Sequence, residues 1–417
     1  MQNTTVYSTI RYSLIVFPLA FAGIPIYLHA PDYYATNIGL KIEIIGFALL
    51  FLRLIDAFLD PLIGYLSDRY YSYRDKIIYF GSILLVLGFW MIFHPLNSHY
   101  LQWFFLSIFL CTLGFSIIAI NIQAYGGLWN IPTLQVTKVI ATREAIGLLG
   151  LLTASITPTL LFLYFKSDNF HILSIILIFI MFLSVYAFYK WFNNSEIKLP
   201  IKQTENKIFK TIFANSNVKL FFTSYFFSTF AASIPASLII FYVRDYLVAE
   251  NLLGLFLLVY FSSGALSMPL WKYLANKLSC KHAWLLSMVF ALFSFFWAYF
   301  LQPNDILGFY AICLFSGMAV GANLALPSVI IAEYIHSNNH ENYAASYYSV
   351  SNFLSKFSLA VAAGTALPIL GFMGYQPGVL RTDFLFPVVY AVIPCIIQSI
   401  SIVILCRLIY SKNLRKT

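Results

Sequence analysis

The segment Arg53-Leu-Ile-Asp56-Ala-Phe-Leu-Asp60-Pro61-Leu-Ile-Gly64-Tyr-Leu-Ser67-Asp68-Arg69 places charged residues inside an apolar run that extends from about residue 40 to residue 66. A charged side chain at the centre of a bilayer costs about 2.5–3.5 kcal/mol on insertion scales, so each one needs a reason. Asp56 and Asp60 are four residues apart and share one helix face, one turn from each other, and Arg53 reaches the same face. Two carboxylates at this spacing repel unless a proton or a cation lies between them. The pattern is suited to coupling a cation, either Na⁺ held by hard oxygen ligands or H⁺ shared by a carboxylate pair. A neutralised Arg53–Asp56 pair that only fixes helix packing is the other reading, and it leaves Asp60 unexplained.

The rest of the chain gives this segment its setting. Of 417 residues, 60% are hydrophobic and 10% charged, where a soluble domain carries about 25% charged residues. Twenty-five basic and 16 acidic side chains cannot cover a 47.5 kDa surface. At about 20 residues per span, the apolar content supplies roughly twelve membrane helices. The composition excludes a soluble enzyme, a nucleic-acid binder, a secreted disulfide scaffold and a disordered tail. Cys111, Cys280, Cys313, Cys395 and Cys406 show no zinc or disulfide spacing and read as reduced packing residues.

Apolar runs fall near 12–30, 40–66, 77–96, 101–129, 142–165 and 171–191, and again near 220–242, 251–274, 282–301, 306–335, 346–371 and 384–410. The expected division is an N-terminal half (1–192), a polar link (193–219) carrying Lys198, Lys202, Lys207 and Lys210, and a C-terminal half (220–417). With both termini cytoplasmic, 19 of the 25 basic residues fall on the inner side. Lys41, Lys166, Arg244 and Arg381 fall outside, and Arg53 and Lys356 fall within spans. This asymmetry fixes the orientation and accounts for the net charge of +9 without an anionic partner. An all-α fold of twelve spans in two six-helix bundles is the plan of the major facilitator superfamily, whose members hold a solute near the midplane and alternate access.

Other polar residues inside apolar runs are candidates for function. In the fourth span Asn121 and Tyr125 lie on one face, as a carbonyl ligand and an aromatic platform, or Asn121 is an interhelical hydrogen-bonding residue. The fifth run opens Thr142-Arg143-Glu144, with Arg143 at the boundary or reaching a central cavity. Lys356 lies about ten residues into the eleventh span, too deep to snorkel, and Asp56 or Asp60 is its natural counter-charge. Glu333 closes the tenth span beside Tyr334 and His336 as a gate or boundary residue. Arg244-Asp245 reads as an exposed pair at the outer end of the seventh span. Pro18, Pro25, Pro235, Pro269, Pro327 and Pro368, with Gly126-Gly127, mark kinks or close approaches.

The second-span pattern Asp56-x-x-x-Asp60-Pro61-x-x-Gly64-x-x-x-Asp68-Arg69 resembles the signature of the glycoside–pentoside–hexuronide:cation symporters, the melibiose permease group of the major facilitator superfamily. Gly23-Ile-Pro25-Ile-Tyr27, Phe241-Tyr-Val-Arg244-Asp245, Pro269-Leu-Trp271, Gly321-Ala-Asn-Leu-Ala-Leu-Pro327 and Leu370-Gly-Phe-Met-Gly-Tyr375 are similar to other parts of that group, so the resemblance covers essentially the whole chain. It implies symport of a sugar or glycoside with Na⁺ or H⁺. Asp56 and Asp60 would bind the cation with Asn121 alongside, Tyr125, Arg143 and Lys356 would lie near the substrate, and Arg53, Asp68, Arg69 and Glu333 would form charge pairs or gates. Two departures matter: Leu59 stands where sugar porters often carry Asn, and Asn121 stands where the melibiose permease has an acid. Both weaken a sodium cage and favour proton coupling or uncoupled transport.

The alternative keeps the fold and moves an amphiphilic or non-sugar solute, such as a lysophospholipid, a siderophore or a peptide-like molecule, inward or outward. A scaffold with a retained transporter fold would be expected to have lost Asp56 and Asp60. An enzyme finds no Ser/His/Asp, metal or phosphate-cradling constellation, and no cofactor beyond the coupling ion is expected. The expected partners are a small solute and the lipid bilayer, with no nucleic acid. The expected setting is a monomer, by analogy with the fold, in a bacterial inner membrane.

Overall fold

The computed structural model describes residues 5–96, 99–165, 170–197, 208–372 and 385–410. Lys166, Lys198, Lys202, Lys207, Arg381, Lys412, Arg415 and Lys416, which entered the charge asymmetry, lie outside these residues. So do residues 198–207 of the polar link and Met373-Gly-Tyr375 of the eleventh-span resemblance.

Twelve long helices organise the described chain. They are α1 (Val6–Thr36), α2 (Ile42–Arg69), α3 (Tyr71–Ile92), α4 (Tyr100–Leu128), α5 (Thr133–Phe165), α6 (Phe170–Phe192), α7 (Ser216–Tyr246), α8 (Glu250–Leu278), α9 (Cys280–Tyr299), α10 (Ile306–Ser337), α11 (Glu341–Phe372) and α12 (Val388–Tyr410). All but α2 are apolar enough over a membrane-length window to qualify as spans by composition alone. At 28 residues α2 is about 42 Å long, more than the roughly 30 Å bilayer core. It falls short only by its charges, because every membrane-length window along it carries Arg53 and Asp56 with at least Glu43 or Asp60. The outward faces of the helices are Phe and Leu, among them Phe47, Phe182, Leu266 and Phe293. A soluble protein of this size could not keep such surfaces in water. The chain is an integral, multi-pass membrane protein.

The helix ends refine the sequence reading at α5. The apolar run opens at Thr142, whereas the helix begins at Thr133, where the Pro132 carbonyl accepts from Gln135 and Val136. Gln135, Thr137 and Lys138 lower the hydropathy of this first stretch and conceal it. Arg143 therefore lies ten residues, about 15 Å, inside the helix.

Residues 1–208 and 331–352 form one compact unit, and 209–330 with 353–417 form another. In the first unit α3 and α4 make an extended contact through small residues. A Cβ on Gly88 would lie 2.7 Å from the Cys111 nitrogen and the Ser107 carbonyl. One on Gly114 would lie 2.6 Å from the Gly81 carbonyl. α1 packs on α5 and α6, and α2 packs on α4. In the second unit α7 packs on α12, with Ser224 and Ser401 exchanging hydrogen bonds. Its aromatic core stacks Tyr242 on Tyr390 with ring centroids 3.9 Å apart.

Single π-helical turns interrupt α1 at Pro25–His29, α7 at Tyr242–Tyr246 and the start of α12 at Val388–Val392. The turn in α7 corrects one expectation. Arg244 does grip Asp245 through two bonds of 2.7 and 2.9 Å, but Asp245 is only 3% exposed. The extra residue of a π turn rotates the facing of the residues after it, and it carries Asp245 inward. The five cysteines are free thiols. Cys111, Cys280, Cys313 and Cys395 are buried and Cys406 is half-buried.

Candidate functional site

Three polar clusters occupy the first unit, two of them anchored on α2. In the first, Asp56 is 6% exposed and Asp60 is fully buried. The Ser116 hydroxyl of α4 donates to Asp56 Oδ1 at 2.7 Å. One turn before Asp56, the Arg53 guanidinium lies over the Tyr27 ring, 4.5 Å from its centroid. Tyr27 belongs to the π turn after Pro25, so the irregularity of α1 presents this ring to α2. A face-on aromatic partner stabilises a cation without removing its charge from nearby carboxylates. The i, i+4 spacing thus brings Asp56 and Asp60 to one buried face, as the sequence suggests.

Asn121 of α4 meets a different part of α2. Its amide nitrogen donates to the Ile117 carbonyl at 2.7 Å, and its oxygen accepts from the Ser67 hydroxyl. Ser67 is seven residues past Asp60, about 10 Å along the helix. The Ser67 bond attaches Asn121 to the far end of α2 and is the interhelical type that the sequence also allowed, whereas the Ile117 bond stays within α4.

The second cluster closes that end. Asp68 and Arg74, both buried, pair at 2.9 Å. Asp68 also accepts from the backbone N–H of Ala345 at 2.9 Å and of Ser346 at 2.7 Å, the first turn of regular helix in α11. These N–H groups have no carbonyl partner within their own helix, and a carboxylate there meets the positive end of the helix dipole. Gly64 allows the approach. A Cβ at that position would overlap the Ser349 side chain and lie 2.9 Å from the Ala345 carbonyl. Arg74 also lies 5.6 Å from the ring centroid of Tyr125, which is enclosed by Phe188, Trp191 and Phe192. Arg69 next to Asp68 points out and reaches the Tyr65 hydroxyl at 3.4 Å.

The third cluster surrounds Arg143, which is 1% exposed and so is not a snorkelling boundary residue. Its Nε donates to Glu144 at 3.0 Å, and a second donor binds the same oxygen. Tyr12 of α1, whose hydroxyl donates to the Ile122 carbonyl at 2.6 Å, lies within its electrostatic reach. Gly126 leaves room for both: a Cβ there would lie 3.1 Å from Tyr12 Cζ and 3.8 Å from Arg143 Nη1. Gly127 does the same for Tyr348, whose hydroxyl would be 2.9 Å from an added Cβ. The Gly126-Gly127 pair is a close-approach point.

Glu333 is half-buried in the penultimate turn of α10, next to Tyr334. Lys356 is half-buried and belongs to the second unit. Among the described residues no group of three or more His, Cys, Asp or Glu is placed to hold a metal ion. Sequence reasoning passed over Ser116, Arg74 and Tyr12. A serine in an apolar run gives little signal, although Ser116 lies on the helix that carries Asn121. Arg74 served only as an orientation charge.

Two all-helical units with buried charges along their spans define a polytopic membrane transporter. The chain belongs to the MFS/sugar transport protein family, whose model matches residues 12–412. No curated protein matches it significantly. A bacterial homologue of the iron transporter ferroportin in its outward-facing state is similar, with a TM-score of 0.74 at 14% identity, covering 96% of this chain and 98% of the other. A variant of the E. coli fucose:proton symporter has a TM-score of 0.70 at 13% identity, with coverages of 96% and 98%. At such identities the likeness concerns the fold.

Proposed function

We propose that the protein is a secondary active transporter that couples entry of H⁺ or Na⁺ to symport of a small polar solute, a sugar or glycoside first, by alternating access. The observation that carries this reading is the fully buried carboxylate of Asp60, one turn from Asp56 on a membrane-spanning helix. Two carboxylates out of water at this spacing need positive charge beside them, and a proton or cation that is taken up and released is the form of it that can drive symport. Ser116 supplies a further oxygen, already turned to Asp56. Leu59 brings no ligand, and the Asn121 oxygen is engaged by Ser67. This poverty of neutral oxygens favours H⁺ over Na⁺ as the coupling ion. The proposed cycle loads the cation at Asp56 and Asp60, with Arg53 held aside on Tyr27. Arg143, Lys356 and Tyr125 are the proposed solute-side residues, in line with the melibiose permease-like resemblance. Asp68, Arg69 and Glu333 are assigned to the gate, and Asp68 at the start of α11 is its best-supported member. We place both termini in the cytoplasm of a bacterial inner membrane, on the distribution of basic residues, in a monomer of two six-helix halves.

The test is uptake into vesicles reconstituted with the purified protein. Labelled sugars, glycosides, organic acids and lysolipids are offered under an imposed H⁺ or Na⁺ gradient. The expected result is accumulation of one sugar class, driven by the H⁺ gradient and abolished by a protonophore. Flux of amphiphiles alone would replace the solute assignment, and indifference to both gradients would remove the coupling.

A further inference from the structure

The seam between the start of α1 and the end of α6 encloses a cavity of about 180 Å³, lined among others by Ser8, Arg11, Lys190, Trp191, Asn194 and Ser195. Its wall residue Trp191 packs on Tyr12 and Tyr125 of the clusters described above, and among the described residues no carboxylate lines it. The neighbouring Glu196 turns instead to Asn130, whose side-chain amide reaches it at 3.3 Å. Arg11 is braced by Tyr7, with its guanidinium 3.8 Å from the ring centroid and a 2.6 Å bond to the hydroxyl. Lys190 is held near the Tyr186 ring, 5.5 Å from its centroid. Trp191 forms part of the wall, with its ring fixed against Tyr12 and Trp129, each 4.9 Å away.

We propose that this cavity binds the phosphate group of an anionic phospholipid. Two braced cations with flanking hydroxyl and amide groups ask for a compact, acceptor-rich anion. Guanidinium and ammonium groups meet phosphate oxygens well. The volume equals about six waters at about 30 Å³ each, enough for a tetrahedral group and part of its hydration. Location argues for a lipid over a dissolved anion. The cavity opens at the end of two spans, where headgroups lie, and exposed Val6, Tyr7, Tyr186 and Tyr189 flank it as an apolar bed for acyl chains. Basic pockets between membrane helices are a known mode of headgroup recognition.

The full-length protein in neutral detergent tests this with three probes: short-chain phosphatidylglycerol, short-chain phosphatidylcholine and inorganic phosphate. Tryptophan emission and Tm are the readouts. Phosphatidylglycerol should saturate and raise Tm at a concentration at least tenfold below that at which phosphatidylcholine acts. Arg11→Gln with Lys190→Gln should remove that preference. Saturable binding of inorganic phosphate without any response to phosphatidylglycerol would overturn the lipid assignment. Equal response to both lipids by the native protein would overturn the site altogether, as would phosphatidylglycerol binding unchanged in correctly folded variants.

Discussion

Asp68 Oδ2 accepts a 2.7 Å hydrogen bond from the backbone N–H of Ser346, a residue 278 positions later in the chain. Its other oxygen takes the N–H of Ala345 and the Arg74 guanidinium, both at 2.9 Å. The start of α11 is thus capped by a side chain from α2. Removing one partner of a buried charge pair typically costs about 3–5 kcal/mol, because the other is left uncompensated. Asp68→Ala should lower Tm of the purified protein by about 3–6 °C, with faster hydrogen exchange at Ala345 and Ser346. A Tm within about 1 °C of the native value would show that water already serves these groups.

Gly64 gives a steric test of the same junction. Gly64→Ala puts a methyl group into the Ser349 side chain, and overpacking of this kind costs about 1–3 kcal/mol. The double variant with Ser349→Gly should recover more than half of the lost Tm, leaving only the Ala345 carbonyl too close. Absence of any recovery would locate the strain elsewhere.

The coupling proposal is tested at the carboxylates. Asp60→Asn keeps the shape and removes the charge, so gradient-driven accumulation should fall to background at unchanged expression. Ser116→Ala deletes only the 2.7 Å donor to Asp56 and should cost about threefold to tenfold in uptake. Full accumulation by Asp60→Asn would remove the coupling role of that residue.

Tyr12 ties α1 to α4 through the Ile122 carbonyl. Tyr12→Phe should cost about 1 kcal/mol, visible as a small drop in Tm, and should leave substrate selectivity intact. A changed solute preference would instead place Tyr12 in the transport path.

His340, in the turn between α10 and α11, adds a pH dependence. Its Nδ1 lies 2.8 Å from the Tyr347 hydroxyl, its ring packs near Tyr343, and Glu341 is beside it. Burial pushes its pKa below the ordinary value of about 6.5, with Glu341 partly opposing the shift. Above that value both folded and unfolded states are neutral and stability is complete. As pH falls below about 6.5 the unfolded chain takes up the proton first, and stability declines until the folded group protonates. Half-exposure limits the effect to under about 2 °C in Tm. His340→Gln should flatten the Tm profile in this window, and an unchanged profile would show that another group titrates.

The spans and the Asp56/Asp60 face are legible in the sequence because they arise from hydropathy and from the 3.6-residue helical repeat. The surroundings of Arg143 are not. Local polarity places it at a helix opening, whereas Pro132 starts the helix earlier and Tyr12, from a distant part of the chain, completes the burial. Asp245 was hidden for a local reason, since a π turn changes which way a residue faces without a mark in composition. Asn121 and Tyr125 share a face as expected, but only tertiary contacts show that Ser67 holds one and that Arg74 and the α6 aromatics hold the other. The capping of Ala345 and Ser346 joins residues far apart in sequence, beyond the reach of any periodicity.

The glycine contacts between α3 and α4 have a consequence for how this protein resists its solvent. Lipid tails dissolve leucine as readily as another helix does, so water exclusion does little to hold two spans together inside the bilayer. The contact at Gly81, Gly88 and Gly114 is secured by fit. Such a joint is intolerant of a single methyl group. It holds α3 and α4 as one close-packed hairpin whose spacing is set by backbone meeting backbone.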